Sequence, residues 1–208
     1  MTEQSSPIYD KNTIEFVTVA AQVVAFLEKD IHTKEEFVDT SLKLFPLLYL
    51  KTLLLPACPR MDGRSPETFV TEQEYNKVRM SIASCLGEED DYLEVFLEDM
   101  AYSETPIKQS ISEGIADLYQ PLKDFLCVFQ MAYEPTMNDA LAECKALFID
   151  FWGQRLVNVM RALHLILCQQ RKAQADIEEQ EESAYYGADF MTEEDLYEGL
   201  ELGEEEDE

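Results

Sequence analysis

Apolar positions recur at three- and four-residue intervals through nearly the whole chain, and nowhere do they alternate for long. The pattern predicts helices. From about Thr13 to Lys29, the residues Phe16, Val17, Ala20, Val23, Val24 and Leu27 share one face. Thr33 and Glu36 have capping-box spacing and open a second helix through "FVDTSLKLFPLLYLKTLLLP", in which Pro46 predicts a kink or a division. Beyond Leu44 that helix is apolar nearly all round, so it is expected to be the central, most buried one. Residues 56–70, rich in Pro, Gly and polar side chains, predict a loop. Thr71 and Glu74 form a second capping box, for a helix ending near Gly87.

The acidic run "EEDDYLEVFLEDM" predicts a fourth, exposed helix whose first carboxylates suit the positive helix N-terminus. A fifth is expected from about Thr105–Pro106, carrying the stripe Ile111, Ile115, Leu118, Leu122, Phe125 and Phe129, with Pro121 bending it. The last and longest is expected from about Thr136 to Ala175. These elements make an all-α fold: a single bundle of about six helices over residues 1–175, followed by an acidic tail, 176–208.

Charge sharpens this picture. The 208 residues hold 43 acids against 16 bases, a net charge of −27. Residues 176–208 contain 16 of the acids and no Lys or Arg, which leaves the first 175 residues at −11. So acidic a chain is expected to bind neither nucleic acid phosphates nor anionic membranes directly. A basic protein partner suits it better. The five cysteines, Cys58, Cys85, Cys127, Cys144 and Cys168, include no CxxC pair and read as buried free thiols of a reducing compartment. With no signal peptide visible at "MTEQSS", and Lys51 interrupting the most apolar run, a cytoplasmic location is expected. Nothing in the pattern sets an oligomeric state.

Chemistry-bearing constellations are few. His32 and His164 are the only histidines, and neither follows a Glu by three as a di-iron helical site requires. Zinc spacings, a nucleophile elbow and a phosphate-cradling glycine loop are all missing. No cofactor is therefore expected. One alternative stands: Glu35, Glu36 and Asp39 have the local spacing to face a single Mg²⁺, as in a hydrolase acting on nucleotide-like small molecules. The same acids equally suit the first turns of a helix. Lys51, within "LLYLKTLLLP", must snorkel outward or find a carboxylate.

The densest cluster of rare residues is "FIDFWGQRLVNVMRALH" (148–164). On a regular helix, Leu141, Phe148, Trp152, Leu156, Val159, Leu163 and Ile166 fall on one face, with Gln154, Asn158 and Arg161 opposite. Arg155 stands at the edge of the apolar face and calls for a partner, with Asp117 and Asp124 as candidates. Gly153 and Gly114, each unfavourable inside a helix, are expected to admit a close neighbouring helix. Two readings stay open: an architectural ion pair, or a ligand- or partner-binding site at Arg155.

In the tail, Tyr185, Tyr186, Phe190, Leu196, Tyr197 and Leu200 are interleaved with acids. Thr192 to Leu202 has the pattern of a short amphipathic helix that folds on a partner. Three ordered blocks, "FVDTSLKLFPLLYLKTLLLP", "SISEGIADLYQPLKDF" and "FWGQRLVNVMRALH", resemble the bacterial domain-of-unknown-function 5063 family over roughly residues 10–170. That resemblance implies an all-helical, cytoplasmic bacterial protein and brings no catalytic residue with it. The expected function is a non-enzymatic interaction or adaptor protein that offers its acidic surface and tail to a basic partner.

Overall fold

The computed structural model describes residues 6–29, 33–61, 67–94 and 107–188, with side chains up to residue 183. It divides into two units, 1–167 and 168–208. The first unit opens with a single 3-10 turn, Pro7–Tyr9, followed by α1 (Lys11–Leu27) and α2 (Lys34–Leu53). Then come α3 (Glu72–Leu86), a second 3-10 turn (Gly87–Asp90), and the antiparallel strands β1 (Asp91–Leu93) and β2 (Lys108–Ser110). Next are α4 (Ile111–Gln130), α5 (Glu134–Leu147), a π turn (Phe148–Trp152) and α6 (Gly153–Ala188). The fold is all-α. Because the π turn joins α5 to α6 without a break, six α-helical segments make five rods among the described residues.

Local chemistry explains the boundaries. The Asp10 side chain accepts the Asn12 N–H and opens α1, slightly earlier than the apolar stripe suggests. Thr33 accepts the Glu36 N–H to open α2, and Thr71 and Glu74 complete a reciprocal capping box at α3. Gly87 ends α3 with φ of 60°, in the left-handed region where a side chain is costly.

The central helix is α4, not α2. Ile111, Ile115, Leu118, Leu122 and Phe125 of its stripe are buried, and so are Gly114, Ala116, Tyr119, Leu126 and Val128. Tyr119 is buried although it lies outside the stripe, and its hydroxyl is satisfied by donating to Glu28 at 2.9 Å. By contrast, α2 buries Phe37, Val38, Ser41, Phe45, Leu48 and Thr52 on one side and leaves Leu47, Leu50, Leu53 and Leu54 exposed on the other. Apolarity all round a helix predicts burial only if neighbours exist on every side. Here α1 and the α5–π segment flank α2, as the Phe26–Phe37 and Tyr49–Phe148 ring contacts show, and among the described residues its far side is left open.

The expected helix over "EEDDYLEVFLEDM" does not form where it is described. Residues 87–90 are a 3-10 turn and 91–93 a strand, while 95–100 lie outside the described residues. Asp90 does not sit free at a helix start. Its carboxylate accepts the Ser112 N–H at 2.7 Å and the Ser112 hydroxyl at 2.6 Å, and is nearly buried. The Glu94 N–H then continues the ladder to the Ile107 carbonyl. Pairing with β2 outweighs a local helical pattern, which is weak evidence in a segment this short. For the same reason α4 starts at Ile111 rather than near Thr105: β2 precedes it, and Ser110 supplies the cap to the Glu113 N–H.

The last predicted helix is also longer and less regular than expected. It starts at Glu134, with Pro at an acceptable first-turn position, and runs through the π turn to Ala188. Leu141, Phe148, Trp152, Leu156, Val159, Leu163 and Ile166 are all buried, as the helical phase predicts. Gly114 lets α6 approach: a Cβ there would lie 2.6 Å from Val159 Cγ2. Gly153 serves a different end from the one expected. A Cβ on it would strike the carbonyl and ring of Phe148, one π turn earlier in the same rod. In the second unit, the described residues 168–188 are helical, and residues 171–183 are exposed.

Candidate functional site

Arg155 lies in the first turns of α6, where helical phase puts it at the rim of the buried face. Its Nη1 reaches Asp117 Oδ2 of α4 at 2.9 Å, and its guanidinium lies 4.5 Å from the centre of the Phe151 ring. The other Asp117 oxygen accepts the Tyr75 hydroxyl of α3 at 2.8 Å. Burial, and then the bond to Asp117, push the Tyr75 phenol well above its ordinary range. Both carboxylate oxygens are thus occupied and the phenol keeps its proton. The cluster ties three helices together, with no activated nucleophile and no vacant base. Asp117 was legible as one of two candidate partners, with Asp124, from their shared position beside the α4 stripe. Tyr75 carried no signal in the sequence.

Asp124, the other candidate partner, does a different job. Its Oδ1 accepts the N–H groups of Phe69 and Val70 at 2.6 and 2.8 Å, which fixes the loop entering α3 onto α4. A single carboxylate accepting two backbone donors is an anchor for irregular chain. The preceding loop is held in the same way on α5. Asn138 donates to the Pro59 carbonyl, Asp139 accepts the Met61 N–H, Lys145 donates to the Leu55 and Pro56 carbonyls, and Arg60 pairs with Glu143.

The face of α6 opposite its apolar stripe is engaged as well. Asn158 is buried and donates to both carboxylate oxygens of Glu94 at 3.0 and 3.2 Å, while Arg161 donates to the Leu93 carbonyl. These bonds fasten β1 to α6. Tyr92 beside them is pushed up to about 12, first by burial and then by Glu94. A helical wheel could not show this, because it places polar residues by phase and ignores what a neighbouring strand brings.

Lys51 finds a carboxylate. Its Nζ donates to Glu15 Oε2 of α1 at 2.7 Å, and that bond holds the Glu15 carboxyl below its ordinary range. A carboxyl lowered in the folded state adds stability above its unfolded value, here 4.5, and that stability disappears as pH falls through the folded value. Glu15→Gln is therefore expected to lower the melting temperature at neutral pH, with the gap to wild type closing as pH drops below 4.5. A gap that ignores pH would remove the ion pair as its cause.

The magnesium alternative loses its geometry. Glu35, Glu36 and Asp39 are exposed on α2, and Asp39 pairs with Lys43 at 2.6 Å instead of converging with the other two. No group of three or more His, Cys, Asp or Glu side chains among the described residues is placed to hold a metal. Of the five thiols, none is in a disulfide and only Cys144 is buried; Cys58 in the loop after α2 and Cys85, Cys127 and Cys168 on helices are half-buried. Burial pushes Cys144 up to about 12, far from the thiolate that a nucleophile needs. His32 lies outside the described residues, and His164 is exposed.

Two cavities border these anchors. One of about 140 Å³ lies beneath Glu67 and Thr68, between Pro121 of α4 and Cys144 of α5. Another of about 320 Å³ opens between Glu28, Lys77 and Tyr119, where Glu28 is already taken by Tyr119 and by Lys123 at 2.7 Å. Of the tail anchors, Tyr185 and Tyr186 fall in the last helical turns of α6, beyond the described side chains. Phe190, Leu196, Tyr197 and Leu200 lie outside the described residues. No helix among the described residues is long and apolar enough to cross a membrane.

Comparison with known proteins agrees with this architecture. Curated proteins give no match. Among solved structures, the crystal structure of protein BF1032 from Bacteroides fragilis shares 51% sequence identity with the chain and superposes with a TM-score of 0.70. The match covers 77% of this chain and 95% of that one. The family described as a domain of unknown function, DUF5063, matches residues 7–169, which include Lys51, Asp117, Asp124 and Arg155 but not the tail. The chain belongs to the DUF5063 family.

Proposed function

We propose that this protein works by binding another protein, and that the partner is basic. The observation that carries this reading is the exposed helical segment following Lys172. Asp176, Glu178, Glu179, Glu181 and Glu182 present carboxylates of one sign along it, with no cation among residues 176–183. Like charges on adjacent turns of a helix repel one another, so a basic surface that neutralises them is bound at a gain. Lys51, Asp117, Asp124 and Arg155 of the first unit offer less, since each is engaged in holding the fold. Nucleic acid phosphates would be repelled by the same charge. Five cysteines without a disulfide suit the reducing cytoplasm.

The test is co-purification with full-length tagged protein from host lysate, beside a full-length variant carrying Asp176→Asn with Glu178, Glu179, Glu181 and Glu182 each changed to Gln. The expected result is a basic protein retained at low salt by the wild type and lost from the variant. Recovery of no specific partner by either chain at low salt would refute the reading.

A further inference from the structure

The outer side of α2 is the feature that the fold leaves unexplained. Leu47, Leu50 and Leu54 follow i, i+3, i+7 spacing directly opposite the buried Phe45–Leu48–Thr52 side, and Leu53 stands at their edge. These four leucines are between 36% and 57% exposed. Scattered exposed leucines are ordinary, whereas four within eight residues on one helix face form a patch. Towards its N-terminus the same outer face carries Glu35, Glu36 and Asp39, all exposed, with Lys43 bound to Asp39. One helix face is therefore acidic at its start and leucine-rich at its end.

We propose that this face docks an amphipathic helix of a partner protein, with an apolar stripe seated on Leu47, Leu50 and Leu54 and Lys or Arg side chains reaching the Glu35, Glu36 and Asp39 end. The proposal rests on the protein-binding reading above and adds a contact separate from residues 176–183. Helix-on-helix recognition is read through i, i+3, i+7 anchors of this kind. The charge at the acidic end selects a basic flank on the incoming helix. A second copy of the chain is the poorer occupant. Two chains of net charge −27 repel each other.

The experiment titrates a labelled synthetic amphipathic Leu/Lys helix into the full-length chain at physiological and at high salt, following fluorescence anisotropy. Controls are the same peptide scrambled to destroy its apolar stripe, and a Leu/Glu helix. The variants are Leu50→Ser/Leu54→Ser and the five-residue neutral variant at 176–182, with Leu50→Gln alone as a milder replacement if the double variant melts early. The Leu/Lys helix is expected to bind, the scrambled and Leu/Glu peptides to bind more weakly, and the serine variant to lose about tenfold in affinity at high salt. The neutral variant should retain most of its high-salt binding. Binding that the serine changes leave intact but the neutral variant loses would overturn the α2 surface and spare the basic-partner reading. Failure of every chain to bind the peptide would overturn the α2 surface, while the co-purification above decides the broader reading separately. A wild-type dimer in sedimentation velocity that the serine variant dissolves would give the face to a second copy, and would overturn the proposal too.

Discussion

Trp152→Ala is expected to destabilise the fold by about 3–5 kcal/mol, the range for removing a large aromatic side chain from a core. Trp152 is fully buried, its ring lies 4.7 Å from that of Phe148 in an edge-on arrangement, and its Nε1 donates to the Cys144 carbonyl at 3.3 Å. Truncation removes all three and leaves a cavity beside α4 that packed helices refill only in part. Denaturant unfolding followed by circular dichroism reads the change, since the variant lacks the chain's single tryptophan as a fluorophore. Trp152→Phe keeps the contact with Phe148 and should lose clearly less. A loss below about 1 kcal/mol for the alanine variant would mean that this ring does not fill the core as described.

Gly153→Ala tests the π turn, and its sign is the useful part. Helix propensity alone gives alanine an advantage of about 1 kcal/mol over glycine inside a helix. The structure reverses that expectation. An added Cβ would strike the Phe148 carbonyl oxygen and lie 2.9 Å from Phe148 Cε2, and a backbone carbonyl held within a continuous rod has little room to move. Overpacking of this kind costs about 1–3 kcal/mol, so the variant is expected to be less stable than wild type by thermal melting. A rise in melting temperature would show that the rod relaxes to a regular helix without penalty, and that glycine there is incidental.

The two substitutions bracket what was legible in "FIDFWGQR". Period alone placed Trp152 inward, and the structure agrees because the burial of Leu156, Val159 and Leu163 enforces the same phase along α6. Period also narrowed the partner of Arg155 to Asp117 or Asp124, both at the rim of the α4 stripe, and left the choice between them to the packing of α6 on α4. The π turn left no mark in the pattern: one wider turn shifts the register by less than the width of an apolar face. The reason for Gly153 was therefore misassigned to a neighbouring helix, while the same argument held for Gly114 against Val159.

Misreadings elsewhere have a common origin. For α2, for Asn158 and for the 88–94 segment, local pattern says which side chains want cover but not which neighbours arrive to cover them. Asn158 looked solvent-facing until β1 brought Glu94 to it. Leu50 and Leu54 looked like core until the described bundle closed on α4 and left them outside. Asp90 looked like a helix start until Ser112 claimed both its oxygens.

By itself the amino-acid order determined the helical class, the caps of α2 and α3, the inward stripes of α1, α4 and α6, and the acidic character. Each of these follows from interactions within a turn or two of helix, or from composition. Tertiary structure decided which helix is central, that two short strands interrupt the bundle, which acid meets Arg155, and which leucines stay in water. Those outcomes depend on contacts between residues far apart in the chain, whose free energies are set by packing and desolvation at sites that exist only once the helices have assembled.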